Sequence, residues 1–438
     1  MIRAPLFMDD STASDDGPAA EADGAPPLAP SWAPGYARVH ADLPPLSFQF
    51  RASPEDFIVE ELAAHVEAPD PTGTHIWFTV EKRDVSTPEA ARRIARALDR
   101  HPAEVSFAGR KDAVAVTRQR MSIEHVDVET LLALDLDKIR IRDPLRCLRK
   151  IRLGQQSGNR FHLRLSGVAE GDHGELTRQV DALGRDGVPN YYGAQRFGAD
   201  GKGLALGRAL VQAEPIEYLE LLSHAVPRRT REAAQELVRR IREGNTSERR
   251  RATELCGSLD DDFRPVAQTL ARRRPDDVAV LVRSVPKRSR SFHLAILQAR
   301  VFNRILAERV HAGTSATVLE GDVVRRPDGR HVVTEVGGCE GVPTGPLWSA
   351  DVLVAEGRPG EIERAALAAE GLRPEELANP GGLTPRGARR PLTARFGNAE
   401  VGPWIDGSVW IAFDLPVGSY ATIAMAELTG IPDVAADH

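Results

Sequence analysis

The sequence predicts an α+β fold in which one domain is interrupted by a long insertion. Three observations carry this. The N-terminal half is strand-rich, residues 203–310 read as mostly helical, and a strand followed by a helix returns over Gly407–Pro416 and Tyr420–Thr429. With 438 residues, 42% of them hydrophobic, the chain has material for two or three domains with cores of their own.

Residues 1–45 hold seven acids, two bases and eight prolines, a net charge of −5, and predict a disordered acidic tail. Phe48 begins an extended run into Ser53-Pro-Glu-Asp-Phe57-Ile-Val-Glu-Glu61. Pro54 favours extended backbone before it, and Ile58 and Val59 start a strand. His75–Val80 is aromatic and β-branched, hence a strand. Thr87-Pro88 opens a helix, with Thr87 as N-cap and Pro88 at the first helical position; Ala91, Ile94, Ala95 and Leu98 form its apolar stripe. Val105–Phe107 ends one strand, and Val114–Ile123 forms the next. Ser157–Leu165 sets Phe161, Leu163 and Leu165 against Arg160, His162 and Arg164, a half-buried strand with a basic outer face. Gly187–Gly198 is rich in turn residues and aromatics, as functional loops are. Leu294, Leu297, Val301 and Ile305 mark one long helix, and residues 315–394 mix short strands with Pro/Gly loops. No internal repeat is present.

Composition excludes several classes. No run of eighteen apolar residues predicts a membrane span, and no basic flank with an apolar core predicts a secretory signal. Cys147, Cys256 and Cys339 form no C-x-x-C pair and the twelve histidines show no ligand spacing, so neither zinc nor a disulfide framework is expected. Gly198–Gly203 lacks the spacing of a phosphate loop, and Gly337–Gly341 lacks the strand-turn-helix context of a dinucleotide fingerprint. The net charge of −6 hides local basic blocks. Arg142–Arg164 has a net charge of +6, Arg228–Arg251 of +5 and Arg283–Arg304 of +6. The first and third hold one acid between them, which favours a phosphate-facing role; the second mixes Arg with Glu and reads equally as a solvated helix face.

The segment that carries chemistry is Phe107-Ala-Gly-Arg-Lys-Asp112-Ala-Val-Ala-Val-Thr-Arg-Gln119. It places the Asp112 carboxylate directly after Lys111, on a small-residue turn between two strands. Taken alone, this is either a poised carboxylate or a solvated pair in a hairpin. The segment resembles the nucleophile-bearing motif of the TruD family of pseudouridine synthases, Gly-x-Lys-Asp followed by Ala-x-Thr-x-Gln, here Gly109, Lys111, Asp112, Ala115, Thr117 and Gln119. Four further segments resemble the family in the same order from about Phe48 onward. They are Ser-Pro-Glu-Asp-Phe57, Gly-Asn159-Arg-Phe161, Pro-Asn190-Tyr-Tyr-Gly-Ala-Gln195-Arg196-Phe-Gly, and Leu415-Pro-Val-Gly-Ser-Tyr420-Ala-Thr422.

The resemblance implies a pseudouridine-synthase catalytic domain on a mixed, mainly antiparallel sheet, residues 46–186 plus 395–438. A family-specific α/β domain, residues 187–394, is inserted, with an extended helical part at about 209–289. It implies isomerisation of uridine 13 in the D arm of tRNA, with Asp112 catalytic, Phe161 stacking on the base, Asn159 orienting it and Lys111 giving electrostatic support. Phe57 matches a wall aromatic, and Asn190, Gln195 and Arg196 match residues that hold RNA or brace the domain junction. Tyr420 replaces the phenylalanine expected there, adding a hydroxyl. Breaking C1′–N1 and joining C5 to C1′ involves no redox step, so no cofactor and no metal are expected. The expected partner is tRNA, and the expected state is a cytoplasmic monomer with no membrane association. Three rivals stand beside this reading. One is a synthase with a different RNA target; another is a non-catalytic RNA-binding or RNA-folding protein. The third is a carboxylate-dependent hydrolase, for which Glu104 is the nearby second acid.

Overall fold

The computed structural model describes residues 32–64, 68–111, 115–198, 201–243, 254–273, 277–335 and 340–432. Two compact units emerge. The first gathers residues 42–188 and 394–431, the second residues 32–41 and 189–393.

The first unit is built on a nine-stranded sheet. Its strands are β1 (Gln49–Phe50), β2 (Phe57–Ala63), β3 (His75–Arg83), β4 (Ser106–Phe107), β5 (Val116–Glu124), β6 (Ile139–Cys147), β7 (Gln156–Ser166), β8 (Gly397–Ile405) and β9 (Ser408–Pro416). The order is β8-β9-β7-β2-β5-β3-β6, with β1 on β7 and β4 on β5. Only the β2/β5 pair is parallel among the registers described, so the sheet is mixed and mainly antiparallel, as expected. Gly158 lets β7 and β9 close on each other: a Cβ there would lie 2.3 Å from the Leu415 carbonyl oxygen.

Helix α1 (Thr87–Ala97) buries Ala90, Ala91, Ile94 and Ala95 against Ile76, Phe78 and Val80 of β3 and Met121 and Ile123 of β5. Fully burying Ile94 contributes about 2–3 kcal/mol. Helix α2 (Val128–Leu132) contributes Leu131 to the same core, and α3 (His173–Asp186) precedes the chain's exit. Helix α4 (Ala421–Thr429) is buried along its whole length, and its Leu428 carbonyl accepts the Leu46 N–H at 2.9 Å.

The N-cap of α1 is Ser86, whose hydroxyl accepts the Glu89 N–H, and not Thr87 as expected. Two adjacent hydroxyls compete for the cap, and tertiary neighbours claim the Thr87 side chain.

In the second unit, the helix Lys287–His311 runs for 25 residues and buries Leu294, Leu297, Val301 and Ile305 as its stripe predicts. A four-stranded sheet of Val323–Arg325, His331–Val333, Val342–Leu347 and Ala388–Pro391 belongs to the same unit. Part of the expected tail, residues 32–45, lies among the described residues. Trp32 and Ala33 are buried, and the Trp32 carbonyl accepts from Asn303 Nδ2 at 3.1 Å. Acid and proline counts do not register one indole that finds an apolar seat.

Candidate active site

Asp112, with Ala113 and Val114, lies outside the described residues, but the chain on both sides is clamped. The Lys111 N–H donates to Thr87 Oγ1 at 2.8 Å, and Thr87 Oγ1 donates to Gln119 Oε1 at 2.8 Å. Gln119 Nε2 donates to the Gly109 carbonyl at 3.1 Å. Thr87 and Gln119 are both buried, so these bonds form away from water, where leaving either partner unpaired costs about 1–3 kcal/mol. At Gly109 a Cβ would lie 2.1 Å from Gln156 Oε1, so a larger residue there would displace the Gln156 side chain that accepts from Lys111.

Lys111 reaches into a buried polar cluster. Its Nζ donates to Gln156 Oε1 at 2.9 Å and to Asn159 Oδ1, and lies 3.4 Å from Glu61 Oε2. The Lys111 and Glu61 side chains are only 5% and 3% exposed. Burial pushes the Glu61 carboxyl above its ordinary value, with the Lys111 charge opposing that rise. The sheet register assembles the cluster. Glu61 of β2 is paired with Asn159 of β7, and Val59 with Phe161, so two successive rungs on one face carry the polar pair and the aromatic.

Phe57 and Phe161 are brought together as part of an aromatic run. Phe161 meets Phe57 edge-on, with centroids 6.0 Å apart, and stacks on Phe413 at 5.5 Å; Phe413 in turn stacks on Phe396 at 4.4 Å. Phe161 is 6% exposed. Tyr420 is half-buried just before α4, its carbonyl accepting from the Ile423 N–H at 3.1 Å.

Asn190, Gln195 and Arg196 belong to the second unit. Asn190 braces it: Nδ2 donates to the Pro391 carbonyl at 3.0 Å, and Oδ1 accepts from Arg390 Nη2 at 2.6 Å. The Arg196 guanidinium lies 5.7 Å from the Tyr192 ring centroid and 5.6 Å from that of Phe292, while Gln195 is exposed.

The second acid at the site is Glu61. Glu104, the acid expected from its closeness in sequence, sits on the turn Pro102–Glu104, bonded to Arg100 and the His101 N–H. A signal for Glu61 existed, because residues four apart on a strand share a face, so Phe57 carries Glu61 with it.

The basic face of β7 is compensated. Across β9, β7, β2, β5 and β3, the register lines up Asp414, Arg160, Glu60, Arg118 and Glu81, alternating in sign on the face opposite the site. Arg160 donates to Asp414 at 3.0 Å and to Glu400 at 2.6 Å, and Arg118 to Glu81 at 2.8 Å and to Glu60. The His162 ring and the Arg118 guanidinium hold the Glu60 carboxyl down at about 2. In the third basic block, Arg300 and Arg304 converge on the buried Glu370. The acids come from other strands and helices, which is why a count along the chain misses them.

Among the described residues no group of three or more His, Cys, Asp and Glu side chains is placed to hold a metal ion. No described helix is long and apolar enough to cross a membrane.

Residues 35–428 match the profile of the family tRNA pseudouridine synthase D (TruD). The chain belongs to the TruD family. Its match begins before Phe48, at residue 35. The chain is 35% identical over 404 residues to the tRNA pseudouridine synthase D of Geobacter metallireducens, covering 90% of this chain and 98% of the relative. It is 32% identical over 422 residues to that of Chromohalobacter salexigens, covering 92% and 98%. The crystal structure of a Methanosarcina mazei protein assigned as TruD superposes with a TM-score of 0.70 at 25% identity, over 91% of this chain and 97% of that one. The TruD architecture is therefore that of this chain, a mixed sheet with helices.

Proposed function

We propose that this TruD protein isomerises uridine 13 of tRNA to pseudouridine in the cytoplasm, with Asp112 as the catalytic carboxylate. The observation that carries the reading is the buried Lys111 cluster adjoining Asp112, inside a chain matched to TruD over residues 35–428. The reaction breaks C1′–N1, turns the freed base and joins C5 to C1′, with no net change of atoms or electrons. Asp112 serves it ionised, whether it attacks C1′, adds to C6 or takes the C2′ proton. A fixed cation one residue away favours that state. In this reading Asn159 and Gln156 aim the ammonium, and Phe161 receives the base on a platform that Phe57 and Phe413 hold rigid. A base in folded tRNA must first leave its stack, at a cost of a few kcal/mol.

The test compares the wild-type protein with Asp112→Asn on unmodified tRNA, mapping pseudouridine by chemical labelling and primer extension. A stop at uridine 13 with wild type alone is expected, with tRNA binding retained by the variant. A wild-type stop elsewhere favours a different RNA target, and equal stops with both proteins remove Asp112 from the chemistry.

A further inference from the structure

The end of β6 and the loop from it to β7 carry a surface that the charge ladder does not neutralise. Arg146, Arg149, Lys150 and Arg152 are exposed, and among the described residues none of these side chains is held in an ion pair, although the Lys150 charge reaches Glu124. From Pro144 to Asn159 the sequence holds no acid. Two acids sit at the edge of the loop: Asp70, bonded by Thr72, and Glu124, bonded by Thr74 and facing His75, His125 and Lys150. Leu148 and Leu153 stand among these cations at 55% and 70% exposed.

The loop is anchored rather than loose. Cys147 and Ile151 are buried with Trp77 and Ala108 in one apolar cluster. Trp77 Nε1 donates to the Arg149 carbonyl at 2.6 Å, the Ile151 N–H to Ser122 Oγ at 2.9 Å, and the Gly154 N–H to the Ala108 carbonyl at 2.8 Å. Its two buried pegs force the residues around them outward. It shares Ala108 with the segment leading to Lys111, and it runs into Gln156, which accepts Lys111. Four cations outnumber the two carboxylates at the loop's edge, and the excess positive charge costs self-repulsion that a polyanion relieves.

We propose that Arg146–Leu153 is a docking element for the phosphate backbone of the substrate RNA, its cations on phosphates and Leu148 and Leu153 against sugar or base faces. The inference rests on the tRNA reading above. It goes further by assigning phosphate contact to this loop, whereas β7 residues Arg160 and Arg164 face Asp414, Glu400 and Asp56 instead.

The test uses the full chain with Arg149, Lys150 and Arg152 all changed to Gln, and a charge-conserving control with Arg149→Lys, Lys150→Arg and Arg152→Lys. Filter binding of unmodified tRNA is measured across a salt series, alongside single-turnover rates at saturating protein. The neutral variant is expected to bind about tenfold or more weakly, with the slope of log affinity against log salt reduced by about one per cation removed. Its saturated single-turnover rate should stay within about twofold of wild type, and the control should keep the wild-type slope. If wild type forms no pseudouridine but the slope still falls, the loop assignment stands while the activity reading fails. An unchanged slope and affinity would overturn the proposal. So would an equal loss in the control, which would make the effect one of loop shape. Binding lost to anionic vesicles but kept for tRNA would assign the surface to membranes and overturn it too.

Discussion

At the scale of residues, the Lys111–Glu61 pair decides what the site can do. Both side chains are almost wholly buried, and a buried charge without its partner is strongly destabilising. Lys111→Met should lower stability by about 3 kcal/mol, since it strands Glu61. The sign with pH follows. Without Lys111 the Glu61 carboxyl rises further, so the deficit is largest at neutral pH and shrinks as falling pH protonates Glu61. The double variant Lys111→Met, Glu61→Leu should regain most of the stability and none of the activity. Thermal unfolding across pH, read beside tRNA turnover, checks both. A double variant that recovers turnover would show that the cation serves folding alone. Glu61 was legible only through strand periodicity, because 50 residues separate it from Lys111 and only the fold brings them together.

At the scale of elements, the strands were legible from their own residues, since β-branched and aromatic runs describe a pleated surface locally. Their partners were not. The alternating ladder from Asp414 to Glu81 exists because strands distant in sequence lie side by side in one register. It stabilises the sheet in a pH-dependent way. The folded Glu60 carboxyl is held at about 2, against an ordinary 4.5. Its contribution is therefore complete above pH 4.5 and is lost as pH falls toward 2. Glu60→Gln should melt at a lower temperature than wild type at neutral pH, and the two melting curves should converge in that acidic window. A constant difference down to low pH would assign the effect to packing. The capping of α1 gives the same lesson on a smaller scale. Either hydroxyl suits the cap, and Gln119 of β5 takes Thr87 away.

At the scale of the whole molecule, the residues before β1 matter beyond their composition. Trp32 is buried, stacks toward Phe197 at 6.5 Å between centroids, and offers its carbonyl to Asn303. Trp32→Ala should cost about 3–5 kcal/mol, the usual penalty for emptying a buried aromatic site. The loss belongs to the unit containing residues 189–393. Limited proteolysis should therefore cut that unit faster in the variant than in wild type, and equal rates would show that the indole contributes nothing there.

The sequence by itself determined the α+β class, the long helix over Leu294–Ile305, the C-terminal strand and helix, and the motif around Lys111 and Asp112. Periodicity and turn chemistry act within a few residues, so they can be read along the chain. Only the tertiary structure decided that Glu61, Thr87 and Gln156 meet at Lys111, that Asn190 ties down residues 390–392, and which cations of a basic block are held in ion pairs. Those outcomes depend on pairing between segments far apart in sequence, where register and burial select one partner from many of the same residue type.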